Sequence, residues 1–161
     1  MARDRSAIRL RKSTEYEQYF QALGNIPDTK FFDSMKDVFM FACTLGFKHN
    51  RKLPFAAQGG EPIRLSVFDL EDENIFNVIA LSHTNDISIL LEDEECQDKK
   101  YKIMEEFANG GMSIMVENFC KPVVDESEFR KFVESFDDGS GRQTSKSIED
   151  LIGGALDSLG S

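Results

Sequence analysis

Apolar and basic residues alternate over Ile8-Arg9-Leu10-Arg11-Lys12, so a short strand here puts Ile8 and Leu10 on one face and Arg9 and Arg11 on the other. Thr14 and Glu17 fit a Ser/Thr-x-x-Glu capping box, and Tyr16, Tyr19, Phe20 and Leu23 then recur at helical spacing up to Gly24. A short, single-faced helix is expected there. Pro27-Asp28-Thr29 offers a turn and an N-cap for a second helix over Lys30 to Leu45, with Gly46 as its stop. Its stripe of Phe31, Met35, Val38, Ala42 and Leu45 is widened by Phe32, Phe39 and Cys43, which predicts burial on most sides.

Gln58-Gly59-Gly60-Glu61-Pro62 reads as a loop, after which Ile63, Leu65 and Val67 alternate with Arg64 and Ser66 as a second strand. From Asp72 the pattern is helical through Ile75, Val78, Ile79 and Ala80, with a polar break at His83-Thr84-Asn85-Asp86. Ile87 to Leu91 fits strand or helix equally. Gln97 to Ala108 predicts a helix stopped by Asn109-Gly110-Gly111, Met112 to Phe119 predicts another, and Asp125 can cap one that carries Phe129, Phe132, Val133 and Phe136. The fold expected is α+β and mainly α-helical: a single domain over residues 7–136, behind a basic arm at 1–6, with two short strands and about five to six helices. A strand followed by two helices within residues 7–46 also has the layout of a ribbon-helix-helix module, whose paired strands from two subunits enter the DNA major groove.

Residues 137–147 have the composition of a flexible linker. Beyond them Ile148, Leu151, Ile152, Ala155, Leu156 and Leu159 form a regular apolar stripe, which predicts an amphipathic helix over 148–161. Gly153 and Gly154 weaken it by about 1 kcal/mol each relative to Ala, so it is expected to fold against its own domain or in a partner's groove.

Charge sharpens this picture. Residues 1–64 hold eleven Lys/Arg against seven Asp/Glu, and residues 65–161 eight against twenty-two, so a +4 part is joined to a −14 part within a net charge of −10. Such a chain can offer one face to a polyanion or acidic protein and another to something basic. Arg9, Arg11 and Lys12, with Lys48, Arg51 and Lys52 at the end of the second helix, are the candidate nucleic-acid contacts, since Arg at alternate strand positions can reach phosphates or base edges together. Ile148, Leu151, Ile152, Leu156 and Leu159 are the candidate partner anchors.

Catalytic chemistry is not evident. His49 and His83 have no Ser, Cys or second His at a spacing that suggests a nucleophile and base. Cys43 reads as core, Cys96 follows four acids that would blunt its thiol, and Cys120 has no supporting neighbours. The acidic groups at Asp69–Glu73 and Glu92–Asp98 lack the spacing and central Gly of an EF-hand loop, and neither Gly-Gly pair is followed by the Lys-Ser/Thr of a phosphate loop. No cofactor or metal is expected. Three cysteines without disulfide or metal spacing point to a reducing compartment, and the longest mostly apolar run, Val38 to Phe47, is too short to span a bilayer. The expectation is a cytoplasmic protein without membrane partners.

Longer phrases resemble a known family, the DNA phosphorothioation-associated protein 4 proteins encoded beside bacterial DNA sulfur-modification (Dnd) genes. The phrases are Ile8-Arg9-Leu10-Arg11-Lys12 with Tyr16, Lys36-Asp37-Val38 through Ala42, Leu45-Gly46-Phe47, Leu53-Pro54-Phe55, Glu61-Pro62-Ile63-Arg64 and Glu105-Glu106-Phe107-Ala108-Asn109-Gly110-Gly111, across residues 8–111. The resemblance implies a part in replacing a non-bridging phosphate oxygen of DNA with sulfur, or in the restriction that uses this mark. It supplies no catalytic residues, and the chain has none of the Cys clusters of an iron–sulfur protein. The function expected is therefore a non-enzymatic accessory or adaptor protein of this modification-restriction defence system. Its partners would be other proteins of the system, with homo-oligomerisation left open. The alternative is a small DNA-binding protein or transcriptional regulator that uses the basic amino-terminal strand.

Overall fold

The computed structural model describes residues 4–24, 32–55, 57–120 and 124–136. Two compact units divide the chain, Met1–Val124 and Asp125–Ser161. Among the described residues the fold is mainly helical, with five α-helices and one two-stranded sheet, as the α+β reading expects.

Strand β1 (Arg9–Leu10) pairs antiparallel with β2 (Ile63–Arg64), Arg9 opposite Arg64 and Leu10 opposite Ile63. A ribbon-helix-helix strand pairs with its copy in a second subunit, whereas here the partner strand comes from the same chain. The second strand is also shorter than its alternation suggests. Leu65–Val67 winds into a 3-10 turn, which brings Leu65 and Phe68, three residues apart, into the core together.

The Thr14–Glu17 capping box does not form. Ser13 caps instead, its side chain accepting the Glu15 N–H at 3.2 Å, and a 3-10 turn over Thr14–Tyr16 leads into α1 (Glu17–Gly24). The Glu17 carboxylate is occupied by Lys12 and by Gln21, whose Nε2 donates to it at 2.8 Å. Helix α2 (Met35–Lys48) begins later than Lys30, because Ser34 and Asp37 make the cap: Ser34 Oγ accepts the Asp37 N–H and donates to Asp37 Oδ2 at 2.9 Å. The predicted turn at Pro27-Asp28-Thr29 lies outside the described residues. Helix α3 (Leu70–Thr84) opens with a capping box between Asp69 and Asp72 and closes on Asn85 in the left-handed conformation, φ 53°. Ile87–Leu90 is a 3-10 turn capped by Asp86.

The largest departure from the sequence pattern is α4 (Glu94–Phe119). Asp93 caps it, and it runs unbroken for 26 residues, about 39 Å, through Gly110 and Gly111, so the two helices expected at 97–108 and 112–119 are one. The glycines serve packing. A Cβ on Gly111 would collide with the Ala42 carbonyl, one on Gly110 with the Arg51 carbonyl, and one on Gly46 with the Phe107 carbonyl. Gly46 therefore lies inside α2, where the backbones of α2 and α4 meet. Around this contact Val38, Phe39, Ala42, Cys43, Met104, Phe107, Met112 and Met115 are almost wholly buried. Phe39, Phe68 and Phe76 form an edge-to-face and tilted cluster with centroids 5.3–6.3 Å apart.

In the second unit, α5 (Glu126–Glu134) is capped by Asp125 as predicted, buries Phe129 and pairs the rings of Phe132 and Phe136 at 5.0 Å. The expected linker at 137–147 and helix at 148–161 lie outside the described residues.

Candidate functional site

The candidate basic residues do not form one face. Lys12 is 2 % exposed. Its ammonium lies 3.1 and 3.3 Å from the two carboxylate oxygens of Glu17 and 5.4 Å from the centre of the Phe20 ring, so it serves the interior and not a surface contact. Period two explains this: Lys12 shares its strand face with Ile8 and Leu10. Arg11 is half-exposed and pairs through Nε with Glu105 at 2.9 Å. Arg51 Nη1 donates to Ser113 Oγ at 3.0 Å and pairs with Glu117 at 3.1 Å, while the Arg51 N–H donates to the Gly46 carbonyl at 2.8 Å. It ties the segment after α2 to α4. Lys48 and Lys52 are exposed.

Arg9 stays on the surface, its guanidinium donating to the carbonyls of Ser6 and Ile8, and the fold adds a residue that the sequence pattern left out. Arg64 is exposed and directly opposite Arg9. The Leu65 N–H donates to the Ile8 carbonyl at 3.0 Å, which makes Ile8 and Leu65 a hydrogen-bonded pair and Arg9 and Arg64 the neighbouring pair without such bonds, where side chains stand closer. Two adjacent cations on an open strand face repel unless an anion joins them. The shared Ile-Arg and Leu-Arg alternation of the two strands is the signal that could have matched them.

A second set of exposed side chains, gathered in one stretch of sequence, is apolar and acidic. Val67, Leu70, Ile75 and Val78 on and before α3, and Ile87, Leu90 and Leu91 after it, account for seven of the eight large apolar side chains exposed among the described residues. Leu70 is 73 % and Ile87 75 % exposed. Between Arg64 and Lys99 the chain has ten Asp/Glu and no Lys or Arg. Arg5 reaches Glu73 at 2.5 Å and Lys36 reaches Asp72 at 2.8 Å and Asp69 at 3.8 Å. Among the described residues Glu71, Asp86, Glu92, Asp93 and Glu95 make no ion pair. Asp86, Ile89, Asp93, Glu95, Cys96 and Lys99 line a cleft of about 650 Å³. Hydrogen bonds from Ser88 to Asp86 and from the Cys96 N–H to Asp93 hold both carboxyls below the usual range, so this cleft keeps its negative charge.

The nucleophile candidates are quenched. Burial pushes the Cys43 thiol far up and that of Cys120 up to about 12, while the hydrogen bond to Asp93, followed by burial and the charges of Asp93 and Glu95, raises Cys96. His83 packs edge-on to Phe107 at 5.2 Å, and burial, then Lys52, lowers its pKa. Among the described residues no group of three or more His, Cys, Asp or Glu is arranged to hold a metal ion, and no helix is long and apolar enough to cross a membrane.

A mainly helical α+β protein with an acidic, partly apolar surface and a separate arginine pair is the class that fold and surface define. Residues 9–150 match the family of DNA sulphur modification system-associated protein 4, and the chain belongs to that family. It is an accessory protein of a DNA sulphur modification system, as the resemblance implied. No curated protein and no solved structure matches it.

Proposed function

We propose that the chain is a non-enzymatic adaptor of the modification-restriction system, acting in the cytoplasm by holding other proteins of the system together. The observation that carries this reading is the gathering of exposed apolar side chains into the one long stretch without Lys or Arg, residues 65–98. A chain that keeps Leu70 and Ile87 three-quarters exposed in such a stretch offers apolar side chains for a protein contact, as exposed apolar groups rimmed by polar ones mark interaction sites. The apolar stripe of Ile148, Leu151, Ile152, Leu156 and Leu159 supplies a second contact element.

The test is co-purification of tagged full-length chain expressed with the rest of its system. A system protein should be retained by the native chain and lost when the chain ends at Ser140 or when Leu70 and Val78 are both changed to Asp. Equal retention by the native chain and both variants, or no retention by any of them, would sink the adaptor reading.

A second reading is favoured by the Arg9–Arg64 pair, which suits a phosphate backbone. In it the protein binds DNA with Arg9 and Arg64 leading and Lys48, Lys52, Arg11 and Arg51 in support. Affinity would fall steeply with salt, and Arg9→Ala with Arg64→Ala would lower the salt slope by one to two contacts' worth. A mobility-shift titration at low salt, on duplex with and without phosphorothioate linkages, decides it, and no shift on either rules it out.

A further inference from the structure

We infer that the outward side of α3 docks an amphipathic helix of another protein of the system, one whose apolar stripe is edged by Lys or Arg. This rests on the adaptor reading and names the chemistry of the partner. At 100° per residue Leu70, Ile75 and Val78 fall within an arc of about 140°, while Phe76, Ile79 and Ala80 point the other way into the core. Helix α3 is thus apolar on two opposite sides, of which the described residues cover one. Its 15 residues span about 22 Å, enough to carry a partner helix anchored at i, i+3 or i+4 and i+7.

Charge selects the occupant. Glu71 lies on the same side as Val78, and the cleft past the end of α3 holds Asp86, Asp93 and Glu95 against Lys99 alone. A second copy would bring the same acidic rim against this one. The chain's own residues 148–161 carry Glu149, Asp150 and Asp157 with no Lys or Arg, so their charge does not complement this surface. Nucleic acid is excluded by the same sign. A helix with flanking Lys or Arg satisfies both parts of the surface: its stripe covers Leu70, Ile75 and Val78, and its cations meet Glu71 and the carboxylates of the cleft.

The experiment places a photo-cross-linking residue at Val78 of the full chain, and at the exposed Gln18 of α1 as control, in cells carrying the complete system. Mass spectrometry of the cross-linked peptides should show, at Val78 and not at Gln18, a segment of another system protein with apolar residues at helical spacing and flanking Lys or Arg. Leu70→Asp should lower the yield at least tenfold. Glu71→Lys with Glu95→Lys, at exposed positions that leave the core untouched, should lower it at least fivefold, and this pair carries the test if Leu70→Asp does not fold. A cross-link to a second copy, to residues 137–161, or to a segment without flanking cations overturns the inference, as does no cross-link at Val78. When a system protein still co-purifies in those cases, the adaptor reading survives. When none does, both fall.

Discussion

Glu105 is 5 % exposed, and burial pushes its carboxyl from an ordinary 4.5 up to about 7 even though the Arg11 guanidinium is 2.9 Å away. The folded state therefore binds this proton more readily than the unfolded chain does. The resulting stability is fully present below about pH 4.5 and is lost as pH rises through about 7, by up to about 3 kcal/mol. Glu105→Gln removes that titration. In urea melts the stability of the native chain minus that of the variant should fall by this order between pH 4.5 and 8, and a constant difference would refute the assignment. Lys12 teaches the same lesson from the other sign. Its charge suggested a surface contact, yet its place in the period-two pattern already put it with Ile8 and Leu10, and Glu17 and Phe20 receive it there.

At the scale of elements, glycine carries the main disagreement. Read locally, Gly110-Gly111 and Gly46 are helix stops, and replacing each with Ala in a helix should stabilise by up to about 1 kcal/mol. The α2–α4 crossing predicts the opposite sign. Gly111→Ala drives a methyl into the Ala42 carbonyl and Gly46→Ala one into that of Phe107, and backbone cannot yield as a side chain can. Each should cost about 1–3 kcal/mol, with the two helices forced apart. Denaturant midpoints that rise in these variants would show that the helices do not meet at the glycines. The caps were more legible where they are purely local. Asp125 is legible from sequence, whereas Ser13 takes the cap expected at Thr14, because Lys12 competes for Glu17, and α2 opens on a Ser34 cap that Asp37 completes.

For the whole molecule, the division at Val124 and Asp125 makes a clear expectation. A chain ending at Ser140 should melt with the same midpoint as the full chain in near-ultraviolet circular dichroism, which reports the Tyr16 and Tyr101 environments of the first unit. A large fall in that midpoint would mean that residues 141–161 support the first unit. The charge asymmetry, visible in the residue counts, acquires a location in the fold. Much of the amino-terminal basic charge is spent on Glu17, Glu73, Glu105 and Glu117, which leaves Arg9 and Arg64 as an exposed pair.

Legible in the residues alone were the helical periods, the two Arg-bearing strands, the Asp125 cap and the family phrases, since each depends on residues a few positions apart. It takes the fold to show that α4 passes through two glycines, that β1 takes β2 as its partner, that Lys12 is interior and that Leu70, Ile75 and Val78 face solvent. Those outcomes depend on which surfaces meet across distances of up to ninety-odd residues in the chain, as between Arg11 and Glu105. Hydrophobic spacing along α3 shows that it has apolar sides, but burial of one side and exposure of the other follow from what the remaining helices cover.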